Sequence, residues 1–326
     1  MKWCSLVFTA SLVASIPVAS APPKPILDLT GYADNSGAVS VVHEGLSSDP
    51  YFTMQALLLA HDNGMDATQA TRNFINWLMP LQKPDGTFDR FCRNKADVWE
   101  ACKTADADDS QLALWMRLLQ TDTGELQTNP AWIKSAALSE ASLARLLQPS
   151  RGIYVVSPVY LHGLFMDNLE VWSYKAGATQ PSQTVAANKL ARSIQTTFWD
   201  DVNRRYMTST QLEQQAEKRV FYPDYVAQIF PLLVGFAHPK IDSRAVYKRW
   251  MVDHRSDWLR QSETDYPWGI VAVLALREKD TVTVRCWLKH AALLRHSSRW
   301  AVTDETAYQI VTQRGITPAT IGTQCQ

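Results

Sequence analysis

Aspartate and glutamate stand beside aromatic residues at several points of this sequence, a combination suited to general acid–base chemistry. Glu44 lies in a loop ahead of the apolar run 55–60, where partial shielding from water would favour its protonated form and suit it to donate a proton. Asp224 follows Tyr222 at a predicted helix start, where the helix dipole favours the ionised carboxylate and therefore a base. The alternatives are an exposed loop glutamate and a simple helix cap.

A second group of acids, Asp106, Asp108 and Asp109, falls within one short segment that leads into an apolar helix. Carboxylates this close repel one another, and a helix N-terminus offsets the repulsion only in part. Binding of sugar hydroxyls or of a cation would explain the cluster, although the spacing is not that of an EF-hand loop. Simple capping of the helix is the alternative.

A third group of acids is the pair Asp167 and Glu170, which falls in the middle of a predicted helix with Trp172 close by. Positions i and i+3 share one face of a helix, so the two carboxyl groups should project together. Polar residues on that face indicate a helix turned towards a cleft. An ordinary amphipathic helix is the alternative.

Aromatic residues are the clearest excess in the composition, with 12 Trp in the chain. Aromatic rings offer flat apolar platforms on which sugar rings can stack. We therefore expect Trp99, Trp172 and Trp268, together with Tyr222, to contact a sugar. For each tryptophan the alternative is a place in the hydrophobic core, where this residue type is highly buried on average.

In order and spacing, these segments resemble glycoside hydrolase family 8, the inverting endoglucanases. The family carries its general acid in an S-E-G-x-x-Y-G-M stretch, followed by a D-A-D segment and a Tyr-Asp-Ala-like helix start. Here the similar segments are His43–Met54, 106–108 and Tyr222–Ala227. The resemblance implies that Glu44 is the general acid and Asp224 the general base. It also implies that the acids at 106–109 bind and distort the sugar.

The sequence departs from the family pattern in ways that affect the first assignment. The first stretch is a few residues longer, and Thr53 replaces the glycine before the methionine. The longer loop could carry Glu44 away from the cleft, in which case Asp167 is the next candidate acid. The segment Met166–Trp172 looks more like other six-hairpin proteins, including the unsaturated glucuronyl hydrolase group.

The elements that must position these residues are almost all helical. The hydrophobic periodicity predicts about eleven helices, with brief extended stretches at Gly152–Pro158 and Arg205–Thr210. The predicted helices are Pro50–His61, Ala67–Leu81, Asp109–Gln120, one capped by Asn129, Leu161–Lys175, Thr184–Trp199, Asp224–Phe236, Ser243–Trp258, and three beginning near Trp268, Thr281 and Asp304. Helix pairs without a β-rich domain predict an all-α fold, an (α/α)6 toroid with an inner and an outer ring. A superhelical solenoid is the rival, but no fixed-period repeat is present.

The odd-numbered helices of this series open with acids and aromatic residues, whereas the even-numbered ones open with plainer caps. Examples of the first kind are Asp49-Pro50-Tyr51 and Asp265-Tyr266-Pro267-Trp268. If the odd-numbered helices form the inner ring, their N-termini converge on one face that carries many carboxylates and rings. The alternative is that the acids are only caps that suit the helix dipole.

The chain of 326 residues begins with an apolar run, Leu6–Val18, and the small residues Ala19–Ala21. This order is typical of a secretory signal peptide spanning residues 1–21. A short membrane anchor is the alternative, although the run is too short to span a bilayer. We expect residues 22–326 to form a single glycosidase-like domain, monomeric and either secreted or periplasmic.

Charge and cysteine content limit the classes of ligand. Lys plus Arg and Asp plus Glu each number 32, so the chain lacks the basic footprint of a nucleic-acid binder. Cys92 and Cys102 lie in one loop and are the expected disulfide pair of an exported protein. No C-x-x-C or clustered His spacing indicates a metal site, and we expect no cofactor.

These features together favour an exported glycoside hydrolase that acts within a polysaccharide chain. A catalytically silent polysaccharide-binding or exopolysaccharide-assembly protein on the same scaffold is the second interpretation, because fold does not determine function. A polysaccharide lyase is the third. A lyase needs a base near the α-proton of a uronate, and His43, His162 and Tyr160 are the candidates.

Overall fold

Helices dominate the computed structural model, which describes residues 23–178, 181–216, 218–320 and 325. The helices are α1 (Pro50–Asp62), α2 (Thr68–Leu78), α3 (Asp108–Leu119), α4 (Thr123–Thr128), α5 (Pro130–Arg145), α6 (Phe165–Gly177), α7 (Pro181–Phe198), α8 (Leu212–Ala216), α9 (Val226–Val234), α10 (Ser243–Arg260), α11 (Gly269–Arg277), α12 (Thr281–Ala291) and α13 (Val302–Thr312). The predicted signal peptide, residues 1–21, lies outside the described residues.

Within the described residues, six helices form a closed inner ring. In chain order α1, α3, α6, α9, α11 and α13 each pack against the next, and α13 packs back against α1. Outside this ring, α2, α5, α7, α10 and α12 each pack against the inner helix that precedes them in the ring order. The predicted (α/α)6 toroid is confirmed, and its inner ring consists of the predicted odd-numbered helices.

The two rings differ in burial because an inner helix has neighbours on every side. Nearly all of α3 and α13 is buried, including polar residues close to their N-termini. The outer helix α7 instead buries one stripe, made by Ala187, Leu190, Ile194 and Phe198. Such a stripe at helical spacing is the pattern of a helix that covers a core on one side and meets water on the other.

Short strands occupy some of the loops. They are β1 (Ser47–Ser48), β2 (Asp89–Arg93), β3 (Trp99–Thr104), β4 (Leu147–Gln148), β5 (Ile153–Tyr154), β6 (Trp199–Asp200) and β7 (Arg205–Tyr206). Strands β1, β2 and β3 form an antiparallel sheet in the order β1-β2-β3, and the other four form two small hairpins. The predicted extended stretches contain β5 and β7. The β2–β3 hairpin, which the helix-based pattern did not predict, lies beside the start of α3.

Two disulfides tie down loops and a chain end. Cys92 and Cys102 join β2 to β3, as predicted, and Cys286 of α12 joins Cys325. The helix cap predicted at Asn129 is also present, because its side chain accepts a hydrogen bond from Ala131 N. Over the described ranges, no helix is both long and apolar enough to cross a membrane.

Candidate functional site

The N-terminal ends of the inner helices surround a cavity of about 400 Å³. Its lining includes Asp49 and Tyr51 at α1, Asp106 and Gln111 at α3, Met166 and Asp167 at α6, Tyr222 before α9, Trp268 and Gly269 at α11, and Thr303 and Asp304 at α13. The acid- and aromatic-rich helix openings therefore converge on one face, as the sequence predicted. Helix N-termini carry partial positive charge, which favours carboxylates at this end of the ring.

Aromatic side chains make up part of the cavity wall. Tyr222 stacks on Trp268 with ring centroids 5.2 Å apart, and Phe52 meets Tyr266 at 6.0 Å. Trp268 has a left-handed backbone, with φ 50°, at the residue that caps α11. This unusual conformation turns the chain into α11 while the indole remains at the cavity. The wall therefore offers flat apolar surfaces of the kind that suit sugar rings.

One arginine joins two of the cavity carboxylates. Arg90 of β2 lies with Nε 2.8 Å from Asp49 Oδ2, and its Nη2 pairs with Asp106 Oδ2. Asp49 also caps α1 by accepting a hydrogen bond from Tyr51 N at 3.0 Å. Burial raises the pKa of Asp49, and the positive charge of Arg90 opposes that rise. The β2–β3 hairpin thus brings a cation to a site otherwise built from helix ends.

A buried cluster of three carboxyl groups lies at and behind the α6 side of the cavity. Glu170 Oε1 accepts hydrogen bonds from Tyr51 Oη at 2.8 Å and from Gln55 Nε2 at 3.1 Å. Asp109 and Asp167 influence each other electrostatically, and the charge of Asp167 raises the pKa of Asp109 after burial has done so. Two carboxyl groups that repel each other in this way do not ionise together readily, so one of the two tends to keep its proton. Asp109 and Glu170 are buried, whereas Asp167 keeps part of its surface towards the cavity.

Burial raises the pKa of all three carboxyl groups. It raises the pKa of Asp167 to about 7, and the nearby charge of Asp106 acts in the same direction. Burial and the charge of Asp167 together raise the pKa of Glu170 to about 8. For the same two reasons the pKa of Asp109 lies well above its usual range. The cluster therefore holds protons near neutral pH, and Asp167 is the member placed to donate one into the cavity.

Asp304 lines the α13 side of the cavity, and its carboxyl group is held by backbone. Its Oδ1 accepts from Gly269 N at 2.7 Å and its Oδ2 from Ala301 N at 3.1 Å. Burial nevertheless raises its pKa to about 7. A side chain at Gly269 would place a Cβ 2.7 Å from the Ala307 Cβ, so glycine is needed for α11 to approach α13 this closely. Asp304 serves first to join these two helices.

Glu44, the acid expected from the sequence, does not line the cavity. Its side chain is exposed, its backbone is left-handed with φ 52°, and its N donates to Gly31 O at 2.6 Å. The preceding His43 stacks on His296 with ring centroids 4.1 Å apart. These contacts hold the lengthened loop outside the ring. The carboxylate that reaches the cavity at the start of α1 is Asp49 instead.

Asp224, the expected base, is also absent from the cavity lining. It lies in a π-helical turn, Phe221–Tyr225, that leads into α9. Its Oδ2 accepts a hydrogen bond from Val220 N at 3.0 Å, so the carboxylate is turned back onto its own segment. Tyr222 reaches the cavity in its place. The structure therefore places neither Glu44 nor Asp224 in the cavity lining.

Two of the expected stacking tryptophans have structural contacts elsewhere. Trp99 donates from Nε1 to Asp34 Oδ2 at 2.7 Å and lies under the guanidinium of Arg93 at 4.7 Å. Trp172 packs edge-on against Phe236 with ring centroids 4.9 Å apart. Neither lines the cavity. Trp268 is the expected tryptophan that does line it.

The remaining acids of the sequence-based set divide between the cavity and its surroundings. Asp106 lines the cavity, whereas Asp108 is half-buried and senses the charges of Lys83 and Asp85 outside it. Glu170 lies behind Asp167 and, with Gln55, borders a second cavity of about 70 Å³ at the opposite end of the ring. In the part of the chain that the structure describes, no group of three or more His, Cys, Asp or Glu is arranged to hold a metal ion.

The candidate lyase bases are not at the site. His43, His162 and Tyr160 do not line the cavity. The tyrosines that do line it are poor bases, since burial raises the pKa of Tyr222 to about 12 and that of Tyr51 well above its usual value. Removal of a uronate α-proton therefore has no suitable group among the residues first considered for it.

Several lining residues were not part of the sequence-based set. Asp49 and Asp304 stood in the acid-rich helix openings, and that pattern could have selected them. Tyr51 and Gln55 follow on the cavity side of α1 at helical spacing. Arg90 carried no signal, because it comes from a hairpin that the helix pattern did not predict.

Solved structures with the same architecture are known. A cold-adapted family 8 xylanase superposes with a TM-score of 0.58 at 9% identity, covering 89% of this chain and 87% of that one. The endoglucanase Cel10 from Klebsiella pneumoniae, a family 8 glycosyl hydrolase, gives 0.53 at 17% identity, covering 87% and 96%. A GH63 mannosylglycerate hydrolase from Thermus thermophilus gives 0.54 at 11%, covering 88% and 98%.

These likenesses show the fold: the chain has the six-hairpin, or (α/α)6, glycosidase architecture over nearly its whole described length. The sequence itself matches no family model and no curated protein. The roles of individual residues therefore rest on the geometry of the cavity.

Proposed function

We propose that the protein is a glycoside hydrolase and that Asp167 protonates the glycosidic oxygen of a sugar chain held in the cavity. The observation that supports this most directly is the buried cluster of Asp109, Asp167 and Glu170, of which Asp167 lines the cavity. A general acid must carry a proton at the working pH and must reach the substrate. The pKa of Asp167, about 7, meets the first requirement, and its position in the cavity wall meets the second.

Asp106 is the best candidate for the general base. Its carboxylate is ion-paired with Arg90, and its side chain is mostly exposed at the cavity. Its charge acts on both Asp167 and Tyr222, which line the same cavity. Glycoside hydrolysis requires two carboxyl groups facing one cavity, one to donate a proton and one to accept it.

The reaction then has one proton donated and one taken up. Water attacks the anomeric carbon while Asp106 takes its proton. The bond from the anomeric carbon to the leaving oxygen breaks, and that oxygen takes the proton of Asp167. The products are a new reducing end and a free hydroxyl, and a proton returns from Asp106 to Asp167. We propose inversion at the anomeric carbon, as the family 8 resemblance implied.

Exported location is the second part of this proposal. Two disulfides link Cys92 to Cys102 and Cys286 to Cys325, and disulfides persist in oxidising compartments. The apolar N-terminal run supplies the expected signal. We propose a secreted or periplasmic enzyme that works as a monomer and as a single domain, and that cuts within a polysaccharide.

A reducing-end assay on a panel of bacterial and plant polysaccharides tests the proposed function. The variants Asp167→Asn and Asp106→Asn should each lower turnover by about 10²–10⁴-fold, the usual contribution of an acid or a base. Glu44→Gln is the matched control, since it changes the same chemical group at an exposed position outside the cavity. It should retain full activity.

The pattern across the three variants decides the assignment. Full activity in Asp167→Asn together with loss in Glu44→Gln would refute the geometric assignment and restore the one expected from the sequence. Binding of a polysaccharide without any new reducing ends would favour the silent sugar-binding protein. An unsaturated product absorbing in the ultraviolet would indicate a lyase.

A further inference from the structure

The charge of the cavity is strongly unbalanced. Five of its lining residues are acids, namely Asp49, Asp106, Asp167, Asp265 and Asp304. Among the described residues that line it, Arg90 is the only basic side chain, and it is already paired with Asp49 and Asp106. Even with Asp167 and Asp304 protonated, the three other carboxyl groups face a single guanidinium, which leaves an excess of two negative charges. A ligand with a positive charge would reduce this excess.

A separate observation points to a ligand rich in oxygen acceptors. Gln111 lines the cavity and is 2% exposed, yet its Nε2 has no hydrogen-bond partner among the described residues. The Nε1 of Trp268, also at the cavity, is buried without a partner in the same part of the chain. Buried donors are normally satisfied, because an unmade hydrogen bond is costly. Hydroxyl or ring oxygens of a sugar would satisfy both.

We infer that the preferred substrate is built from sugars that carry a free amino group. This inference rests on the proposed function and names its substrate class. The protonated amine meets the cavity carboxylates, the sugar oxygens meet the donors of Gln111 and Trp268, and the sugar face stacks on the ring of Tyr222. N-acetylation removes the positive charge. A uronate adds a negative one and is repelled.

Equilibrium binding tests this independently of linkage. Dissociation constants should be measured calorimetrically for glucosamine and galactosamine, for their N-acetyl forms, for glucose and galactose, and for glucuronate, at about pH 6 where amines are protonated. Each amino sugar should bind at least about tenfold more tightly than its neutral counterpart, a difference of roughly 1.4 kcal/mol. The preference should shrink at high salt, because the contacts are electrostatic.

Two variants separate charge from hydroxyl recognition. Asp265→Asn removes one exposed carboxylate at the cavity and should lower the ratio of amino-sugar to neutral-sugar affinity several-fold, leaving neutral-sugar affinity unchanged. Gln111→Leu should weaken both kinds of sugar equally. Glu44→Gln, outside the cavity, is the charge-matched control and should change neither affinity.

The possible results either support or overturn the inference. A clear preference for both amino sugars that falls in Asp265→Asn supports it. Equal or weaker binding of the amino sugars, including no binding at all, overturns it, as does a preference that Asp265→Asn leaves unchanged. Cleavage of a neutral polysaccharide without amino-sugar preference would overturn this inference and leave the proposed function standing. Amino-sugar preference without cleavage of any polymer would support this inference and overturn the proposed function.

Discussion

Replacing Asp167 with Asn should lower the enzymatic activity and raise the stability of the fold. Both effects have the same origin, the burial of the Asp167 carboxyl group. The pKa of this carboxyl group rises from 3.8 to about 7 on folding. Below about pH 4 both the folded and the unfolded chain carry the proton. Between the two pKa values only the folded chain does, so the free energy of unfolding falls as the pH rises through this window, and it stays low above about pH 7.

The size of this effect on the free energy of unfolding follows from the rise in the pKa of Asp167. One pKa unit corresponds to about 1.36 kcal/mol, so a rise of roughly three units costs the folded state about 4 kcal/mol above neutral pH. This is an upper figure, because Asp167 keeps part of its surface towards the cavity. Asparagine cannot ionise, and its amide can donate to Asp109. The variant should therefore gain about 1–4 kcal/mol at pH 8 and much less at pH 4.

Urea unfolding at about pH 4 and pH 8, combined with turnover measurements, is the assay. We expect the stability of wild-type and Asp167→Asn to converge at the acid end and to separate at the alkaline end, while the variant loses about 10²–10⁴-fold in turnover. Glu44→Gln should change neither quantity. Lower stability of Asp167→Asn at pH 8 would show that Asp167 is not the buried, protonated acid described here. Undiminished turnover would show that it is not the proton donor.

Three further predictions follow from the same contacts. Turnover should decline as the pH rises through about 7, because Asp167 then loses the proton it donates, and a profile still rising at pH 9 would contradict this. Replacing both Cys92 and Cys102 with Ser should lower the free energy of unfolding by about 2–4 kcal/mol, measured in urea, and peptide mapping of the unreduced wild type should show the two cysteines linked. Gly269→Ala should lower the free energy of unfolding by about 1–3 kcal/mol, because its Cβ would lie 2.7 Å from that of Ala307. An unchanged melting temperature would refute the close packing of α11 and α13.

The three buried acids lower the stability of the toroid, so their presence needs an explanation other than packing. Asp109, Asp167 and Glu170 each carry a raised pKa, and a core of apolar residues in their place would avoid that cost. Buried carboxyl groups with a raised pKa are expected where a site needs a group that holds its proton at neutral pH. The proposed role of Asp167 as proton donor would account for this cost.

The positions of the helices could be predicted from the sequence because each inner or outer helix has a local signature. Asn129 before Pro130 marked the start of α5, and the predicted helix Thr184–Trp199 corresponds to α7. The alternation of acid-rich and plain helix openings even separated the two rings. Local patterns of this kind predict where helices begin, because helix dipoles and caps act within one turn and do not depend on distant contacts.

The identity of the site residues depended on tertiary structure, because contacts across the ring decide which carboxyl groups meet. The local sequence does not show that Asp167 faces the cavity or that the carboxylate of Asp224 folds back onto Val220 N. Glu44 had the favourable sequence context, but the long loop and the stacking of His43 hold it outside the ring. The sequence by itself determined a ring of helices with acids and rings at one end. Only the packed ring, by burying some carboxyl groups and pairing others with an arginine from a distant hairpin, decided which of them keeps a proton.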